Sequence, residues 1–69
     1  MKEYKVYSCD PDDEFKIFGG ALYQTNDLAR AYEKLEFFYR TYPKQAFVIY
    51  QPRILASRGV SGINTIMEE

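Results

Sequence analysis

The sequence predicts an α+β fold: a small, mostly antiparallel sheet of three to four strands with one helix packed on one face, in the order ββαβ(β). Three observations predict it. Two runs of β-favouring residues with period-two alternation precede residue 24, a single apolar stripe of helical period spans Leu28 to Tyr42, and a third β-rich run follows Pro43. A chain of 69 residues makes one domain, residues 1–69, whose core is small enough to need dense packing or association.

Lys2 to Cys9 reads as the first strand, with Tyr4 and Val6 on one face and Lys5 and Tyr7 on the other. Asp10-Pro11 ends it, because Pro lacks an N–H and the following Asp residues favour turns. Phe15 to Tyr23 resumes the strand pattern, and Gly19-Gly20 within it predicts a bulge or bend. Thr25 or Asn26 is the expected N-cap of the helix, with Asp27 in the first turn where the helix dipole favours a negative charge. Leu28, Ala31, Tyr32, Leu35, Phe38, Tyr39 and Tyr42 form one stripe at spacings of three and four. Pro43 terminates the helix, since the residue before a proline is driven out of the α region.

Gln45 to Gln51 is the expected third strand, ended or placed at a sheet edge by Pro52. Arg53 to Ala56 extends it in this reading, Ser57 to Gly62 forms a turn, and Ile63 to Met67 returns as a fourth strand.

Composition excludes several chemistries. One cysteine, Cys9, and no histidine rule out an intramolecular disulfide and any Cys/His zinc pattern. A net charge of -1 fits neither a strongly basic nucleic-acid binder nor an acidic DNA mimic. Asp10 to Glu14 lacks the ligand spacing of a calcium loop and reads as an acidic turn. Without histidine, and without room for a pocket that would tune a carboxylate or lysine, the chain is expected not to be an enzyme and to carry no cofactor. No apolar run approaches the length of a membrane span, and the first residues carry no apolar leader segment, so the expected location is the cytoplasm, with no membrane partner.

The functional signal is what remains after the core is built. Twelve aromatics are more than one helix–sheet interface needs in a chain of this length. If Tyr4, Val6, Phe15, Ile17, Phe47 and Ile49 face the helix, period two sends Lys5, Tyr7, Lys16, Phe18, Val48 and Tyr50 to the opposite face. That face then carries three aromatics and a valine, where a solvated face would be polar. Phe37 falls roughly opposite the centre of the helical stripe, near Arg30 and Glu33. Arginine and aromatic side chains together anchor interfaces, which adds Arg30, Arg40, Arg53 and Arg58 to the candidate partner-binding set of Tyr7, Phe18, Phe37, Val48 and Tyr50. Charge is also segregated: residues 1–27 sum to a net -3 and residues 28–58 to a net +4, a polarity able to align two copies or dock a charged partner.

The leading expectation is therefore a non-catalytic protein-interaction module, homodimeric, that binds and blocks a partner protein. The arrangement of a strand hairpin, a Thr-Asn-Asp-Leu helix start, an aromatic-rich helix and a Val-Ile-Tyr strand is similar to that of many small bacterial and phage proteins, a resemblance that bears on origin and not on mechanism; small phage proteins often act by binding and blocking a host protein, and an aromatic-rich domain without catalytic groups is compatible with an inhibitor of that kind. A second expectation is a single-stranded nucleic-acid binder, with Tyr7, Phe18 and Tyr50 stacking bases and Lys5, Lys16, Arg53 and Arg58 on phosphates. A third is a structural subunit of a larger assembly.

Overall fold

The computed structural model describes residues 2–61. Four strands and one helix follow in the order β1 (Tyr4–Asp10), β2 (Asp13–Thr25), α1 (Leu28–Thr41), β3 (Ala46–Tyr50) and β4 (Ile54–Arg58). They form a single antiparallel sheet with spatial order β2-β1-β3-β4, and α1 packs across one face. The α+β expectation holds in this ββαββ form.

Two carboxylates organise the β1–β2 turn. Asp10 accepts a hydrogen bond from the Asp12 N–H at 2.8 Å, and Asp13 accepts one from the Phe15 N–H at 3.0 Å. Each caps a donor that the reversing backbone leaves without a ladder partner.

β2 is longer and less regular than its sequence pattern suggests. Its register with β1 runs Tyr4↔Thr25, Lys5↔Gln24, Val6↔Tyr23, then jumps to Ser8↔Phe18 and Cys9↔Ile17. Tyr7 alone thus opposes the four residues 19–22, and Gly19, at φ +67°, supplies the left-handed step that lets the chain bulge. The insertion exceeds a regular ladder by three residues, an odd number, so it exchanges the two faces. Ile17, paired with Cys9, points away from the helix, while Phe18, paired with Ser8, lies on the helix side. The expected facing of Phe15, Ile17 and Phe18 is reversed for that reason.

The helix starts one residue later than expected. Asp27, not Thr25 or Asn26, is the N-cap, its carboxylate accepting from the Ala29 N–H at 3.0 Å. Thr25 instead uses its hydroxyl to accept from the Asp27 N–H at 3.1 Å, ordering the entry. Ala31 and Leu35 are buried, and Leu28, Tyr32, Phe38 and Tyr39 pack half-buried around them. Tyr42 lies outside the helix as its C-cap, with its N–H donating to the Phe38 carbonyl at 2.9 Å and its ring half exposed.

β3 occupies the centre of the sheet, and Ala46, Phe47, Val48 and Ile49 are all buried. β4 pairs beside it after a turn in which the Gln51 N–H donates to the Arg53 carbonyl at 2.8 Å. The expected extension of β3 through Ala56 is thus a reversal, with Pro52 in the turn, and Ser57 and Arg58 belong to β4 instead of a loop. Ile54, Leu55 and Ala56 show no alternation because both sides of β4 are covered, Leu55 being the extra residue between Ile49↔Ala56 and Tyr50↔Ile54. The expected strand Ile63 to Met67 lies outside the described residues.

Two apolar clusters result. Tyr4, Val6, Ala31, Leu35, Phe47, Ile49, Leu55 and Ala56 form the one beneath the helix. On the other face Cys9, Ala46, Val48, Ile54 and Val60 form a second, with Tyr7 and Ile17 at its margin. Val60 reaches it because the chain turns back after β4 at Gly59, φ +82°, and the Ser61 N–H donates to the Pro11 carbonyl at 2.5 Å. The face opposite the helix is therefore partly clothed by the chain itself.

Candidate interaction face

That clothing divides the expected binding residues. Val48, fully buried in the second cluster, offers no surface to a partner. Phe18 lies on the other side of the sheet. What remains open on the second face is Tyr7, Phe15, Ile17 and Tyr50, which line a shallow hollow of about 360 Å³. Phe15 is the most exposed large apolar residue described, at 76%, and Tyr50 is exposed at 40%. The Tyr7 and Tyr50 rings meet edge to face, 6.3 Å between centroids, and form a ridge at one side of the hollow. Across this ridge lies a second open hollow of about 350 Å³, lined by Glu3, Lys5, Tyr7, Tyr50, Gln51 and Pro52.

Local structure explains the placement. Phe15 sits among the three residues of β2 that have no opposite number between Cys9↔Ile17 and Asp10↔Asp13. Its backbone is held by the Asp13 carboxylate, so the ring is projected outward from an ordered excursion. Glu3 is engaged sideways, accepting from the Gln24 amide at 2.6 Å, and Lys16 is drawn to Asp10 at 4.0 Å. Lys5 is the cation among the residues that line the second hollow.

Phe15 and Ile17 are the residues that period-two reading misassigned. Their signal was present in Gly19-Gly20, whose bulge changes the facing of everything before it in β2.

Cys9 lies buried beneath this region. Loss of hydration, followed by the charges of Glu14, Asp10 and Asp13, pushes its thiol from an ordinary value near 9 up to about 11. The thiolate is correspondingly about a hundredfold scarcer near neutral pH than for an unshifted thiol. Alkylation by iodoacetamide at pH 8 is expected to be at least about a hundredfold slower in the folded chain than in urea, followed by mass spectrometry. Equal rates in the two conditions would show that Cys9 is open.

A second exposed region runs along the outer flank of α1. Phe37 is exposed at 56%, but its ring stands edge-on to Phe38 at 5.7 Å, and the Lys34 ammonium lies 5.5 Å from it and 5.1 Å from Tyr23. Phe37 therefore has intramolecular work as part of an aromatic–cation stack bracing the helix against β2. Phe18 and Leu22 are also exposed along β2.

The arginines are dispersed. Arg30 lies near Asp27 at 3.9 Å, Arg40 and Arg53 are exposed, and Arg58 is turned inward. The Arg58 guanidinium stacks 5.2 Å over the Tyr39 ring, and its Nε is 3.2 Å from the Glu36 carboxylate without aiming its N–H at it. Arg58 thus ties β4 to the helix and is not presented outward. The trio Tyr7, Phe18 and Tyr50 does not share a face, which dismantles the base-stacking arrangement expected from sequence.

Among the described residues no group of three or more His, Cys, Asp or Glu side chains could hold a metal ion, and no helix is long and apolar enough to cross a membrane. Comparison with protein-family models, curated proteins and solved structures finds no match to this chain.

Proposed function

We propose that this chain is a non-catalytic, cytoplasmic protein-interaction module that associates with a protein partner through the face of Tyr7, Phe15, Ile17 and Tyr50. The observation that carries the reading is Phe15. An aromatic side chain held outward by an ordered backbone excursion, 76% exposed beside two half-packed tyrosines, contributes little to its own fold. Aromatic groups of this kind are the anchors of protein interfaces, where the area they lose to water drives association.

The test is a site-specific photo-crosslinker placed at position 15 or position 37, with adducts measured in the cells that make the protein. Position 15 is expected to give a discrete adduct and position 37 none. Tyr50→Ala is expected to weaken formation of that adduct by roughly 30-fold, the effect of removing an anchor worth about 2 kcal/mol. Adducts from position 37 alone, or an adduct from position 15 indifferent to Tyr50, would contradict the assignment.

A further inference from the structure

We infer that the occupant of this face is a second copy of the same chain, related by a two-fold axis through the Tyr7–Tyr50 ridge. The inference rests on the interaction-face reading and names its partner. Shape is the first argument. The protruding Phe15 lies on one side of the ridge, and the hollow lined by Lys5, Gln51 and Pro52 lies on the other. A two-fold axis through the ridge exchanges the two sides, so each copy's Phe15 is carried onto the other's hollow. One operation fills both hollows.

Charge is the second argument. The hollow side carries Lys5, with Glu3 held sideways by Gln24. The Phe15 side ends in the acidic turn of Asp10, Asp12, Asp13 and Glu14, of which Asp10 lies 4.0 Å from Lys16. Lys5 and Asp10 are five residues apart on one strand, about 16 Å. The same two-fold that seats Phe15 sets the Lys5 end of each copy against the acidic end of the other, and the unlike charges fix the register. A parallel superposition would oppose like charges.

The experiment is a charge exchange read by sedimentation equilibrium and native mass spectrometry, with circular dichroism confirming that each variant is folded. The wild-type chain is expected to be a dimer. Lys5→Glu alone is expected to weaken self-association by roughly tenfold or more, because it places like charges at both ends of the two-fold interface, and Asp12→Lys alone by a smaller factor, because it lowers the formal charge of the turn from -4 to -2. Mixed in equal amounts, the two variants are expected to form a heterodimer in excess of either homodimer, since one end then carries the native pairing of Lys5 with the acidic turn and the other opposes fewer like charges than the Lys5→Glu homodimer does. Phe15→Ser, which alters neither charge, is expected to be monomeric with or without mixing.

A wild-type chain that stays monomeric at about 1 mM, the weakest affinity worth considering, overturns the inference, as does a mixture that remains monomeric while both variants are folded. A monomeric wild type that still gives a position-15 adduct with a different protein overturns self-pairing and leaves the interaction face standing. A monomer with no such adduct overturns both.

Discussion

Phe47→Ala is expected to leave the chain predominantly unfolded at 25 °C. Phe47 is almost completely buried in β3, stacked on Phe38 at 5.7 Å and flanked by Tyr42 at 6.5 Å. Truncating a buried phenylalanine costs about 3–5 kcal/mol through lost transfer energy and the cavity left behind. A single core in a chain below 70 residues rarely supplies more than about 3–5 kcal/mol in total, so the loss equals the reserve. The measurement is urea unfolding followed by circular dichroism, with Phe37→Ala as the comparison. The exposed Phe37 is expected to cost about 1 kcal/mol or less. A Phe47 variant with a native midpoint would show that the helix does not depend on this stack.

Gly59→Val is expected to be nearly as damaging for a different reason. Gly59 has φ +82°, a backbone region that side-chain-bearing residues rarely adopt, and a Cβ there would stand 2.6 Å from the Gln45 carbonyl oxygen, 2.9 Å from the Tyr39 ring and 3.2 Å from the Ala46 Cα. Two of those three neighbours are backbone and cannot rotate away. A strained dihedral costs about 1–3 kcal/mol by itself, and the clash adds to it by displacing the turn that brings Val60 onto the second cluster. Gly19→Ala is the control, because Gly19 also has positive φ but meets nothing within 4 Å. Its expected cost is about 1 kcal/mol, from the dihedral alone. A larger loss at Gly19 than at Gly59 in the same urea titration would show that the close approach at Gly59 is relieved by movement elsewhere.

The parts of this fold that were legible before the structure are those set by local chemistry. The helix was marked by the spacing of Ala31 and Leu35 and by Pro43, and β1 and β3 by the alternation of Tyr4 with Val6 and Phe47 with Ile49. The N-cap was blurred because Thr25, Asn26 and Asp27 are all competent, with near-equal intrinsic preference. β4 was hidden because Ile54 to Ser57 is buried on both sides and so loses the period-two signature.

The site was legible as composition and misread as geometry. A surplus of aromatics pointed to the second face, and Tyr7 and Tyr50 are there. Phe18 was exchanged for Phe15 and Ile17 because a bulge of odd length inverts facing, and sequence shows where a bulge falls more readily than how many residues it takes up. Val48 and Arg58 were lost from the outward set because the return of the chain at Gly59 and the Tyr39–Glu36 cradle are tertiary contacts with no local signature. Phe37 is where helical geometry placed it, yet Lys34 and Phe38 give it a partner inside the molecule.

The central claim is that the second sheet face, and not the helix flank, is the binding surface. Carbene footprinting tests it most directly, comparing the dilute isolated chain with the assembled species purified from producing cells. The account predicts protection of Phe15, Tyr7 and Tyr50 in the assembled species with Phe37, Phe18 and Leu22 equally labelled in both. Protection of Phe37, Phe18 and Leu22 while Phe15 stays fully labelled would contradict it.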